Sequence, residues 1–199
     1  KVLRVNMTTG SVSVEELPEK YQHLGGRGLT DRFILDEVPP KCDPLGLENE
    51  LIFACGLLAG TPVSSTNRIS VGAKSPLTGG IKESNGGGTV GMNLARLGYR
   101  AIVIEGAAQY GEYYILEVGE SGAKLSPAKH LVGKGCIQTA QKLYEVYDRR
   151  ASLSVIGQAG EYLMKIAGIG HTDMEGMPTR FSARGGMGAV MGSKGLKAV

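Results

Sequence analysis

The chain has 199 residues, 42% hydrophobic and 21% charged, enough for one large packed domain or two small ones and too apolar for a disordered segment. A formal net charge of +3, with no dense basic run, excludes an electrostatic nucleic-acid binder, and no apolar stretch reaches the roughly 18 residues that suggest a membrane span. Three scattered cysteines, Cys42, Cys55 and Cys136, never in a CxxC, exclude a disulfide framework or a closed cysteine metal site, and a reducing cytoplasm is the expected setting.

Leu3, Val5 and Met7 alternate with polar residues, Thr8-Thr9-Gly10 turns, and Val12 and Val14 alternate again, which predicts an N-terminal hairpin with one buried face. Residues 28–38 predict a helix, stopped by Pro39-Pro40. Leu51-Ile52-Phe53-Ala54 and residues 69–73 predict short strands, 86–97 a helix entered through glycines and closed by Gly98, and 100–106 a buried strand. A second hairpin is expected over 113–118 and 123–125, a helix over 134–147, strands near 152–156 and 164–169, and a glycine-entered helix near 184–193. Clustered strands with few helices indicate an α+β fold rather than a doubly wound parallel sheet.

Glycine is the compositional outlier, 31 of 199 residues, about twice its usual roughly 7% share. It shows neither the triplet period of collagen nor linker composition, which leaves turns or close backbone approach. Much of it belongs to an internal repeat. Residues 88–102 (GTVGMNLARLGYRAI) align without gaps to 185–199 (GGMGAVMGSKGLKAV), pairing Gly88, Gly91, Gly98 and Ala101 with Gly185, Gly188, Gly195 and Ala198, and Arg100 with Lys197. Upstream, Gly56-Leu57-Leu58-Ala59-Gly60 resembles Gly157-Gln158-Ala159-Gly160. The chain is therefore expected to hold two pseudo-symmetric halves, approximately 1–106 and 107–199. The second copy stops at Val199 where the first runs on through Val103-Ile104-Glu105-Gly106, as in a piece of a longer protein.

Two glycine-rich segments occupy equivalent places, Lys82–Gly88 and Thr179–Gly186. Glycine lets backbone approach a ligand, and free N–H groups at a helix start suit phosphate. Arg180 and Arg184 add charged forks, Arg68 follows a Ser/Thr-rich loop, and Asn85 with backbone carbonyls suits a hard cation such as Mg²⁺. Either segment alone is explained as a structural corner; as a duplicated pair they favour a ligand with two similar halves. Nucleotide motifs (GxxxxGK[ST], the full dinucleotide fingerprint) and serine elbows are absent. His23, His130 and His171 are isolated, Glu83, Glu105 and Asp173 read as surface or ion-paired groups, and Cys55 as core. No self-sufficient catalytic constellation emerges.

Taken together, Val2–Gly10, Leu24-Gly25-Gly26-Arg27-Gly28-Leu29, Arg68 with Lys74-Ser75-Pro76-Leu77-Thr78-Gly79, Gly98–Gly106, Gly157–Glu161 and Arg184–Lys194 resemble, in order and over essentially the whole chain, the N-terminal domain of the tungsten-containing aldehyde:ferredoxin oxidoreductases. The resemblance implies an internally duplicated, β-sheet-rich α+β domain with a few helices, and a base for a bis-pterin tungsten cofactor whose phosphates share a Mg²⁺. By position, Arg68, Arg180 and Arg184 would bind pterin or phosphate. Asn85 and Phe181 would lend carbonyls to Mg²⁺, and Ser84, Gly86, Gly87 and Gly185 would line the pterins. Phe181 departs from the small residue expected there. Molybdenum would serve as well as tungsten, since pterin thiolates bind either.

The resemblance also implies that a [4Fe–4S] cluster and the acid/base residues belong to later domains, absent from this chain, which would complete an enzyme oxidising an aldehyde to a carboxylic acid with ferredoxin as acceptor. The isolated domain is then expected to be inactive. Its partners would be the C-terminal domains of the same polypeptide, ferredoxin and the aldehyde, with no nucleic acid and no membrane. Its uncovered face leaves a homodimer open. A stand-alone, non-catalytic pterin-cofactor carrier and a generic phosphate-binding module are the competing readings.

Overall fold

The computed structural model describes residues Lys1–Val199, which form twelve strands and five helices. The first half supplies β1 (Val2–Asn6), β2 (Ser11–Glu15), α1 (Gly26–Glu37), β3 (Leu51–Cys55), β4 (Ile69–Lys74), β5 (Ile81–Gly86), α2 (Val90–Arg96) and β6 (Ala101–Glu105). The second supplies β7 (Tyr114–Gly119), β8 (Gly122–Pro127), α3 (Cys136–Leu143), β9 (Ser154–Val155), α4 (Gln158–Glu161), β10 (Ile169–His171), β11 (Arg180–Ser182), α5 (Met187–Ser193) and β12 (Leu196–Ala198).

Each half builds one six-stranded mixed sheet, in the orders β2-β1-β6-β3-β4-β5 and β8-β7-β12-β9-β10-β11. Strand for strand these are the same order, so the fold is α+β and internally duplicated. Even the register repeats: Ala54 lies opposite Ala101, and Val155 opposite Ala198. The repeated cations act alike too. The Arg100 guanidinium donates to the Leu24 carbonyl at 2.5 Å, and the Lys197 ammonium to the Lys134 carbonyl at 2.9 Å, each tying a central strand to the loop before its outer helix.

The apolar pattern dictates the layers. β3 and β4 are buried on both faces and carry continuous apolar or small residues as far as Lys74, which closes β4. On the outside of the first sheet, Leu29, Phe33 and Ile34 of α1 pack against Ile52, Ala54 and Val103. Ala140 and Leu143 of α3 cover Ile115, Val155 and Ala198 in the same way. Between the sheets lies a shared core in which Leu3, Phe53 and Ile104 join Leu116, Ile156, Met187 and Val190. The sheets also touch at both rims, β2 against β8 and β5 against β11. A buried lysine adds a further tie: Lys194, after α5, donates to the carbonyls of Gly46 and Asn49 in the first half.

Two predicted corners turn out to contain strands. Residues 81–86 pair along their whole length with β4, from Lys74 opposite Ile81 to Ile69 opposite Gly86, and α2 begins only at Val90. Residues 180–182 pair with β10 as β11. The expected strand over 164–169 starts only at Ile169, and the helix over 134–147 closes at Leu143.

The repeated glycines mark backbone contacts. A Cβ on Gly91 would sit 2.6 Å from the Asn67 carbonyl oxygen, and one on Gly188 would sit 2.4 Å from that of Gly168. Both acceptors lie just ahead of equivalent strands, β4 and β10. Gly188→Ala is therefore expected to destabilise the fold by about 1–3 kcal/mol although alanine is the better helix former. Gly119→Ala, where a Cβ meets nothing within 4 Å, is expected to change stability by less than about 0.5 kcal/mol. Urea unfolding of the two variants checks this.

Candidate functional site

The two glycine segments meet at the seam between β5 and β11. A buried chain of side chains fixes that seam. The Ser182 hydroxyl donates to the Ser84 carbonyl at 3.1 Å, so it accepts from Nε2–H of His171 at 2.8 Å. Nδ1 of the same ring then accepts from the Ser154 hydroxyl at 2.8 Å. Ser84 returns a bond, its hydroxyl accepting from the Arg184 backbone N–H at 3.0 Å. His171 is fully buried, and burial without a charged partner pulls its pKa down to about 3, so the ring is neutral and a single tautomer serves both bonds.

The seam brings together the predicted site residues other than Arg68, which lies beside it against Asn85. Ser84, Gly86 and Gly185 are buried in it, while Asn85, Arg180, Phe181 and Arg184 face outward. A Cβ on Gly86 would lie 2.4 Å from the His171 ring, so only glycine lets the ring fit. The aliphatic stem of Arg180 lies over Gly87, and the Gly185 carbonyl accepts from the Ser75 hydroxyl at 2.7 Å. Asn85 and Phe181 hold matching positions in their sheets, opposite the second residue of β4 (Ser70) and of β10 (Gly170).

Beside the seam, in the first half only, runs an open polar groove of about 450 Å³. The start of α1 (Gly26, Arg27) forms one wall, and Arg68, Glu83 and Asn85 form the other. Arg68 donates through Nε to the Asn85 side-chain oxygen, and Asn85 donates to the Ser70 hydroxyl at 3.1 Å. Ser65, in the groove's rim, is held at a φ of 63°, a left-handed conformation that costs a non-glycine residue free energy.

Glu83, expected as a surface or ion-paired group, is ion-paired and buried. Its side chain is only 3% exposed; Oε2 accepts from Arg27 Nε at 3.1 Å, while Oε1 is buried with no partner. Burial, and then the Glu83 charge, raise the carboxyl of neighbouring Asp31 above its usual range. In the second half the groove has no polar counterpart. The second residue of α3 is Ile137 where α1 has Arg27, and the Phe181 ring stands against Gly170, where a Cβ would be 3.3 Å from it. No cluster of three or more His, Cys, Asp or Glu side chains is poised for a metal, and no helix is long and apolar enough to cross a membrane.

The chain is thus a duplicated two-sheet domain with a cationic, glycine-lined seam at the junction of its halves. Residues 2–199 match the family model described as the N-terminal domain of aldehyde ferredoxin oxidoreductase, and the chain belongs to that family. It is 41% identical over 205 residues to the tungsten-containing aldehyde ferredoxin oxidoreductase of Pyrococcus furiosus and 40% identical to that of Thermococcus kodakarensis, covering 100% of this chain and 32% of each relative. It is also 33% identical to the WOR-like subunit of an aliphatic sulfonate oxidoreductase from Pyrococcus furiosus, covering 33% of it. Among solved structures, the active-site complex BamBC of benzoyl coenzyme A reductase, in complex with 1,5-dienoyl-CoA, superposes with a TM-score of 0.91 at 39% identity, over 100% of this chain and 30% of that one. The chain thus spans about a third of the length of the curated relatives it matches.

The buried histidine makes a pH prediction. Its folded pKa of about 3 lies below the ordinary 6.5, so between these values the unfolded chain binds the extra proton, and stability falls as pH falls through that window. Glu50 acts oppositely: burial raises its carboxyl to about 7, so its contribution falls as pH rises from 4.5 towards 7. Comparing wild type with His171→Asn isolates the histidine. Between pH 6.5 and 5 the wild type is expected to lose about 2 kcal/mol more than the variant, measured by urea unfolding at each pH.

Proposed function

We infer that this chain is the cofactor-cradling domain of a tungsten-dependent oxidoreductase, with a bis-pterin tungsten cofactor lying across the β5–β11 seam. The observation that carries this reading is the seam itself. Two equivalent edge strands present backbone at one place; Arg180 on β11, Arg184 just after it and Arg68 just ahead of β4 stand outward around them, and none of these arginines is salt-bridged to a carboxylate of the chain. The residues fit the group. Arg68, Arg180 and Arg184 would pair with its phosphates through charge-assisted hydrogen bonds, and the groove at the start of α1 has the dipole direction that favours anions. Gly86, Gly87 and Gly185, with buried Ser84, would form the floor.

Asn85 and Phe181 would offer backbone carbonyls to Mg²⁺, a hard cation that takes oxygen ligands. Phe181 keeps that carbonyl whatever its side chain, while its ring adds an aromatic surface to the side that carries Arg180 and Arg184. Tungsten or molybdenum would be held by the cofactor's own sulfur atoms, in keeping with a site that has no cluster of metal-binding side chains.

When bound, the cofactor would supply the two-electron chemistry that converts an aldehyde and water into a carboxylic acid. This chain's residues bind and orient it. A [4Fe–4S] cluster, the route to ferredoxin and the substrate pocket would come from polypeptide outside this chain, as its one-third share of the relatives' length supports. The isolated domain would bind cofactor without turning over aldehyde.

Full-length protein produced anaerobically with tungstate is expected to contain tungsten and pterin. Arg68→Ala with Arg180→Ala is expected to lower both at least tenfold, each lost charge-assisted bond being worth about 1.5–3 kcal/mol, while circular dichroism and urea unfolding stay unchanged. Absence of both tungsten and molybdenum from the wild-type protein, with pterin synthesis intact, would overturn the assignment.

A further inference from the structure

The duplication carries its own control for the polar groove. The second residue of α1 is Arg27, and that of α3 is Ile137. On the edge strands Asn85 matches Phe181, so Glu83, two residues earlier, matches Thr179. One half therefore holds a charged pair where its twin, with the same strand order, holds isoleucine and threonine. A helix start over an edge strand forms without the pair, so the fold does not require it.

Keeping the pair lowers stability. The Glu83 side chain is buried with Oε1 unpartnered, and an unsatisfied carboxylate oxygen out of water is unfavourable. The carboxylate makes one hydrogen bond, Arg27 Nε–H to Oε2 at 3.1 Å. That bond uses the inner nitrogen of the guanidinium. Both terminal nitrogens have no partner in the chain, on a side chain 72% exposed at the groove wall. Arg68, on the opposite wall, is held in the same way, its Nε donating to the Asn85 side-chain oxygen. Alternation along β5 puts Glu83 and Asn85 on one face, while Ser84 and Gly86 turn to the seam. A single strand thus steadies both arginines.

We propose that Glu83 is a positioning residue that makes Arg27 the second jaw of a two-arginine clamp for one phosphate group, with Arg68 as the first. Guanidinium N–H groups match phosphate oxygens in pairs. The uncapped start of α1, where Gly25 offers no side-chain bond, adds backbone N–H groups to the same wall. The ligand class is a phosphate monoester. Assigning that phosphate to a pterin cofactor rests on the function proposed above; the clamp itself does not. Because the twin positions carry Ile137 and Thr179, the clamp exists once, and a two-armed ligand has one phosphate held more tightly than the other.

The test uses full-length protein, purified with its cofactor and, from cells unable to make pterin, without it. Glu83→Gln keeps an acceptor for Arg27 Nε–H, whereas Glu83→Met removes it. The cofactor-free protein is titrated calorimetrically with inorganic phosphate. Glu83→Met and Arg27→Met are each expected to raise the dissociation constant about tenfold, the size of one lost charge-assisted bond. Glu83→Gln should raise it less than about threefold, and the double Met variant no more than Arg27→Met alone. The double variant should melt at or above the wild-type temperature, because no buried carboxylate is left, which separates binding from folding. Pterin content of the loaded protein should fall in the same order. Wild-type phosphate affinity in Glu83→Met, additive losses in the double variant, or no phosphate binding by the wild type would each overturn the clamp. A wild type that shows this pattern but holds neither tungsten nor molybdenum would support the clamp and overturn the cofactor assignment instead.

Discussion

The seam depends on a neutral imidazole. His171 spends both ring nitrogens on hydroxyls, Ser154 on its own sheet and Ser182 on the adjoining edge strand, and Ser182 passes the bond on to the Ser84 carbonyl of the other half. Each hydroxyl and nitrogen is thus satisfied out of water, the condition under which a buried polar chain orders a structure rather than weakening it. Everything outward-facing at the junction takes its place from this chain. Asn85 follows Ser84, Phe181 precedes Ser182, and Gly86 is small because the ring occupies the space a side chain would need. The strand pairing supplies alignment; the imidazole sets the distance between halves.

Much of this was readable in the amino-acid order, for a physical reason. A backbone crossing leaves room only for glycine, and a fold built twice makes the same crossing twice, as at Gly91 and Gly188, whereas Gly98 and Gly195 recur for their backbone conformation. Both glycines of the latter pair have φ near +75° (83° and 71°), a value that selects glycine independently of its surroundings. Apolar runs such as β3 and β6 were legible because both their faces are covered. The edge strands β5 and β11 were not. Lys82-Glu83-Ser84-Asn85 carries polar residues on both faces, and its extended form comes from pairing with β4 rather than from local preference. Glu83 reads as a surface or ion-paired acid, but its partner, Arg27, lies 56 residues away and is found only in the fold. His171 looks isolated because its partners lie 17 and 11 residues distant.

The duplication is close in topology and loose in chemistry. Matching helices carry Arg27 and Ile137 as their second residues, and matching edge positions carry Asn85 and Phe181. A ligand with two equal arms would meet Arg27, Arg68 and Asn85 on one side and Arg180, Arg184 and the Phe181 ring on the other. The framework stays two-fold while its surface has lost that symmetry, and such a surface can orient a ligand in one direction only.

The helices inside the core differ in a way that bears on how the two copies can change over time. In α5 every residue from Met187 to Gly192 is buried, and a Cβ on Gly192 would fall 2.0 Å from the Gly160 oxygen. The matching position of α2 is Ala95, whose methyl group already has its place against Gly60, and only Gly91 and Leu94 of that helix are buried. Random substitution would therefore be filtered far more severely in one helix than in the other. Twin segments that began alike would diverge unevenly, with α2 free to take on polar and bulky residues while α5 stays locked to a short alphabet of glycine, alanine, valine and methionine.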